Sequence, residues 1–128
     1  MALNNPYNAY NQYKQNNVMM APPQELTLML YNGAIKFANQ AMLAIDEKNI
    51  SKAHQLILRT SDIITELNIT LDMQYEISKN LRSLYVFILE RLIDANVKKD
   101  KQYIAEALEI ITQLRDTWKE AMHLAKNK

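Results

Sequence analysis

Glu120 and His123 stand three apart near the end of the chain. On a helix that spacing turns a carboxylate and an imidazole to one side, the arrangement that four-helix di-iron proteins use in pairs. A complete site needs a second Glu-x-x-His and a further Glu from each remaining helix. The other histidine, His54, has Ser51 three residues before it, so the second half is missing and no metal site is expected. His54 alone raises phosphoryl transfer through an exposed bundle histidine, but Gln55 and Leu56 follow it in place of the Lys-Gly such motifs carry. There is no cysteine to act as a thiolate, and the one glycine, Gly33, cannot make a phosphate-binding loop. Nothing reads as an enzyme or asks for a cofactor. The chain must work through binding.

The residues that bear on binding are polar ones set among apolar neighbours: Asn68, Thr70, Asp72 and Asn80. Asparagine is a poor helix former and costly in a core unless hydrogen-bonded. Two readings stand side by side. These residues cap helix ends and loops, or they line the rim of a groove and bond a visiting backbone.

They sit around a central helical hairpin, Leu67 to Asn96. Its second helix places Ile77, Leu81, Leu84, Tyr85, Ile88, Leu92 and Ala95 at steps of three and four, the mark of one buried face. Asp72 and Gln74 around Met73 leave room for a tight reversal. Before the hairpin, Gln24 to Ile45 carries two adjacent apolar stripes, Leu26, Leu30, Gly33, Phe37, Ala41 and Ala44 beside Tyr31, Ile35, Ala38, Met42 and Ile45. Together they are wider than a bundle helix needs, which is ordinary core or a partner surface. Asn49 and Asp100 are placed as N-caps for the second and last helices. The last helix shows Ile104, Ala107, Leu108, Ile111, Leu114, Trp118, Ala121 and Ala125 on one face. Four helices with three short loops predict an all-α, antiparallel up-down-up-down four-helix bundle over residues 22–128.

Composition agrees. The chain has 128 residues, 48% of them hydrophobic, with one glycine and three prolines, which suits one helical domain. A net charge of +1 with mixed signs argues against nucleic acid or an anionic membrane surface as partner. The absence of cysteine, of a secretion signal and of a bilayer-spanning apolar run leads us to expect a cytoplasmic protein. Residues 1–21 are rich in Asn and Gln, yet Tyr7, Tyr10 and Tyr13 recur every three residues and Val18, Met19 and Met20 follow. They read either as a disordered tail or as a detachable cover for an apolar groove.

NPYNAY, LTLMLYNGAIKF after a double proline, ELNITLD, NLRSLY, RLIDAN and RDTWKEA occur in this order along nearly the whole chain. The combination resembles the FliS family of flagellar export chaperones, which usually has a single proline in that entry segment. The resemblance implies a cytosolic four-helix bundle that binds the C-terminal, polymerisation-prone segment of flagellin one to one until export. It leaves room for other flagellar regulatory or export proteins as partners. It also implies an N-terminal cover, here including Tyr7 and Tyr10. Asn68, Leu71, Asp72, Asn80, Leu81 and Tyr85 fall in its central motifs. With Ile57, Ile64 and Leu67 from the preceding apolar face, these are the expected flagellin-binding residues. Arg115 and Trp118 match the last motif, with Trp118 expected in the core. An adaptor or regulator binding another amphipathic peptide is the alternative reading.

Overall fold

The computed structural model describes residues 23–126. Four helices account for them: α1 (Pro23–Asp46), α2 (Ile50–Ile69), α3 (Glu76–Lys98) and α4 (Lys101–Lys126). Each helix packs on its neighbours in sequence, and α4 returns to pack on α1, which closes the expected up-down-up-down square. Tyr7, Tyr10 and the rest of segment 1–21 lie outside the described residues.

The loops follow from their residues. Asn49 caps α2 by accepting the Lys52 amide at 3.2 Å, and Asp100 accepts the Gln102 amide at 2.9 Å at the start of α4. Between α2 and α3, Asp72 organises the reversal. Its carboxylate accepts the Gln74 amide at 3.0 Å, and its carbonyl accepts the Ser78 hydroxyl at 2.6 Å. Lys48 and Lys99 adopt left-handed backbone (φ 61° and 50°) just after α1 and at the end of α3, where helices commonly reverse.

The core joins bulky residues on three helices to a face of α1 that, after Leu30 and Tyr31, is made of small ones. Ile57, Ile63 and Ile64 of α2, Ile88 and Leu92 of α3, and Ile104 and Ile111 of α4 are fully buried. From α1 come Ala34, Ala38, Ala41 and Ala44, also buried. Small side chains let α1 approach its neighbours closely. A Cβ added at Gly33 would stand 3.3 Å from Ile63 Cδ1, so the missing methyl is part of the α1–α2 fit. The double stripe of α1 is therefore mostly core, since one helix serves two neighbours; the large apolar residue that α1 leaves well exposed, Leu43, lies off both stripes. Three hydroxyls inside are satisfied: Thr60 donates to the Leu56 carbonyl at 2.8 Å, and those of Tyr31 and Tyr85 meet at 2.5 Å.

Two expectations about burial need correction. Ile77 and Leu84 are exposed, and the buried line of α3 is Ser78, Tyr85, Ile88, Leu92 and Ala95. Ile77 and Leu84 share a stripe with Arg91, which faces α4 at the flank. Ala121 and Ala125 are also exposed although they continue the core phase of α4. With Arg91 paired to Glu106, the first residue of α3 is level with Ala121, so α4 runs on with no α3 opposite it.

Candidate partner-binding surface

The seam between α2 and α3 is fastened at two points. Near one end the His54 ring and the Asn96 side chain lie within hydrogen-bond distance, with Asn96 Nδ2 2.9 Å from His54 Nδ1. Lys99 steadies the same asparagine, donating to its carbonyl at 2.5 Å and its side-chain oxygen at 2.7 Å. Near the other end Arg82 donates to the side-chain oxygen of Asn68 at 3.2 Å and to its backbone carbonyl at 3.3 Å.

Between these clasps both helices present one continuous stripe. On α2 the residues at helical spacing from His54 to Asn68 are Leu58, Ser61 and Thr65. On α3 those from Arg82 to Asn96 are Val86, Leu89 and Ile93. Leu58 is 46% exposed, Val86 42% and Ile93 61%. Ser61 and Thr65 are short, so the strip is a shallow trough, about 21 Å long by the rise of an α-helix over fourteen residues. No charged side chain interrupts these stripes between the clasps. Ile69 lies just past the Asn68 clasp and Val97 just past the Asn96 clasp, both strongly exposed. A trough of this length and character fits an amphipathic helix or an extended apolar segment.

A second apolar stripe flanks α3 on its α4 side. Ile77, Asn80, Leu84, Phe87 and Arg91 follow at steps of three and four, and Arg91 is fixed against Glu106 and Tyr103 of α4. Ile110 and Leu114 face this flank from α4. Thus α3 is apolar on three sides: inward, and along both seams.

The residues expected from sequence to bind are distributed unevenly. Ile57, Ile64, Leu67 and Tyr85 are buried, and Tyr85 spends its hydroxyl on Tyr31. Burial pushes the ionisation of both tyrosines up, in Tyr85 reinforced by its hydrogen bond with Tyr31. Ile57, Ile64 and Leu67 form the floor of the bundle beneath the surface. Leu71 and Leu81 are half-buried against the core at the α2–α3 turn, and Asp72 is exposed there, with its oxygens turned to its own loop. Asn68 is half-buried within its clasp. Asn80 is exposed on the α4-side stripe. Leu58, Val86, Phe87 and Ile93 were not singled out from sequence. Their signal was present, because α3 carries apolar residues off its buried face as well as on it.

Elsewhere, Trp118 packs against the core and donates Nε1 to the Gln24 carbonyl at 2.8 Å, while Arg115 donates to Asn32 at 2.8 Å. A cleft of about 330 Å³ opens beside Trp118, lined by Gln24, Glu25, Ala121, Met122 and Ala125 among others. Among the described residues no cluster of His, Asp or Glu is arranged to hold a metal ion, and no helix is long and apolar enough to cross a membrane.

Fold and surface together define a four-helix bundle with apolar surface left along its central hairpin. Residues 6–125 match the family model described as flagellar protein FliS. The chain is 41% identical over 122 residues to the flagellar secretion chaperone FliS of Bacillus subtilis, covering 95% of this chain and 90% of that one. It is 33% identical to the protein of the same name from Campylobacter jejuni, over 88% of this chain and 89% of the other. A crystal structure of a bacterial flagellar chaperone superposes with a TM-score of 0.74 at 20% identity, over 93% of this chain and 98% of that one, and shows the fold. The chain belongs to the FliS family of flagellar secretion chaperones.

Proposed function

We propose that this protein is a cytosolic export chaperone that holds the C-terminal segment of flagellin and keeps it from polymerising before secretion. The observation that carries the reading is the uncharged strip between the His54–Asn96 and Arg82–Asn68 clasps, with Leu58, Val86, Leu89 and Ile93 on its walls. Segments that assemble by burying amphipathic helices against copies of themselves need such a surface to shield them. A rigid bundle supplies it without nucleotide. Within this reading Ile57, Ile64, Leu67 and Tyr85 support the strip from beneath. Leu71, Asp72, Asn80 and Leu81 extend the contact around the α2–α3 turn, and Asn68 fixes one end of it.

Segment 1–21 is proposed as a cover displaced by the client, with Tyr7 and Tyr10 as its apolar anchors. The support lies in its residues, since Tyr7 and Tyr10, with Val18, Met19 and Met20, are apolar groups in an otherwise polar segment that leads into α1. The test is complex formation on a sizing column with full-length flagellin and with flagellin lacking its C-terminal segment. Equal binding of both would defeat the reading.

A further inference from the structure

Gly33 is the one glycine of the chain, and it follows an asparagine. Asn-Gly is the most reactive asparagine pair, because glycine has no Cβ to shield its amide nitrogen or restrict its backbone. Once deprotonated, that nitrogen attacks the side-chain carbonyl carbon of the asparagine. A C–N bond forms, the side-chain amide leaves as ammonia, and water opens the resulting cyclic imide to aspartate or isoaspartate. The reaction consumes water alone.

The fold holds both members of the pair. Gly33 is kept small by Ile63, whose Cδ1 would stand 3.3 Å from an added Cβ. Asn32 is exposed, and its side-chain oxygen accepts from Arg115 NH1 at 2.8 Å, while Arg115 Nε donates to Asp116 at 2.7 Å. Inside a helix the Gly33 amide donates to the carbonyl four residues before it, and helical ψ turns its nitrogen away from the Asn32 side chain. The pair is inert while α1 is closed. Opening it does not require the whole bundle to unfold. None of residues 23–29 is buried, and burial in α1 begins at Leu30 and Tyr31. This half of α1 is tied to α4 by two polar links, Trp118 on the Gln24 carbonyl and Arg115 on Asn32.

We propose that Asn32 is a deamidation site gated by local opening of α1 from its Pro23 end, with the Arg115–Asn32 bond as the latch. The two products differ in consequence. Aspartate at position 32 keeps the helical backbone and meets Arg115 as an ion pair. Isoaspartate adds a methylene to the main chain, which throws Ala34 and Ala38 out of phase with the core face of α1. A chain that forms it cannot rebuild the helix as before. The inference is independent of what the bundle binds.

The test incubates the full chain in mildly alkaline buffer and follows each asparagine by peptide mapping that separates aspartate from isoaspartate. In the urea-unfolded chain Asn32 is expected to convert before every other asparagine, and Gly33→Ala to abolish that lead. A different first site overturns the assignment. In the folded protein Arg115→Ala is expected to speed conversion at Asn32 about tenfold, the gain in open population on losing a charge-assisted hydrogen bond. Arg82→Ala, which loosens the α2–α3 seam instead, is expected to leave the rate at Asn32 unchanged. Equal acceleration by both variants, or by neither, overturns the proposal. The wild type gives a check that needs no variant. Below its unfolding transition, the rate at Asn32 is expected to rise with urea less steeply than global unfolding does. A rise as steep as global unfolding overturns the local opening.

Discussion

Arg82 of α3 holds Asn68 of α2 twice, through Nε on the side-chain oxygen at 3.2 Å and NH2 on the backbone carbonyl at 3.3 Å. The carbonyl belongs to the last turn of α2, where helical partners run out, so the arginine caps one helix from the body of another. Asn68, read from sequence either as a capping residue or as one that bonds a visiting backbone, has its side-chain oxygen engaged within the bundle. Arg82→Ala is expected to lower stability by about 1–2 kcal/mol in urea unfolding, with little change in slope, because both partners are half-buried. A loss below a few tenths of a kcal/mol would mean that water replaces the clasp at no cost.

The Tyr31–Tyr85 hydroxyl pair couples α1 to α3 across the bundle diagonal. Removing either hydroxyl strands the other in an apolar setting. Tyr31→Phe and Tyr85→Phe are each expected to cost about 1–2 kcal/mol, and the double variant clearly less than their sum. Additive losses would show that the two hydroxyls do not depend on each other.

The same pair sets a pH dependence. Both tyrosines ionise above their ordinary value of 10.0, through burial first. The unfolded chain therefore releases these protons before the folded one does. Their contribution is fully present below pH 10 and is lost as pH rises beyond it. Wild-type stability is expected to fall faster between pH 10 and 11 than that of the double Phe variant. Parallel curves would contradict this.

Gly33 tests the α1–α2 fit. Gly33→Ala gains helix propensity of about 0.8–1 kcal/mol, against a methyl placed 3.3 Å from the movable end of Ile63. The two effects nearly cancel, and a net change within about 0.5 kcal/mol is expected. Gly33→Leu cannot be absorbed by a shift of one methyl and is expected to cost about 2 kcal/mol or more by thermal or urea unfolding. Equal tolerance of both would show that helix spacing is not set at this position.

Helix boundaries were readable from sequence because their signals are local. Asn49 and Asp100 cap as their types suggest, and the Asp72 turn forms from its own carboxylate and carbonyl. The bundle topology followed from loop lengths. What periodicity did not resolve was which apolar residues are core and which are flank. Ile77 and Leu84 lie at the edge of a wide stripe, and their exposure depends on where α4 sits, which is tertiary information. The expected binding residues show the reverse pattern. Ile57, Ile64 and Tyr85 are strongly apolar or aromatic in phase, and that phase takes them inside. Leu58, Val86 and Ile93 are out of phase with the core, and being apolar there is what makes them candidates for a partner.

The central claim is that the strip between the two clasps takes the flagellin segment, and Ile93 is its most exposed wall. We would titrate the C-terminal segment of flagellin calorimetrically into the wild type, Ile93→Asp and Leu43→Asp, the last placing the same charge on exposed α1 surface away from the strip. One-to-one binding with a negative heat-capacity change is expected for the wild type and Leu43→Asp, with affinity at least about tenfold weaker for Ile93→Asp. If folded Ile93→Asp binds like the wild type, the segment is held elsewhere and the strip is not its site.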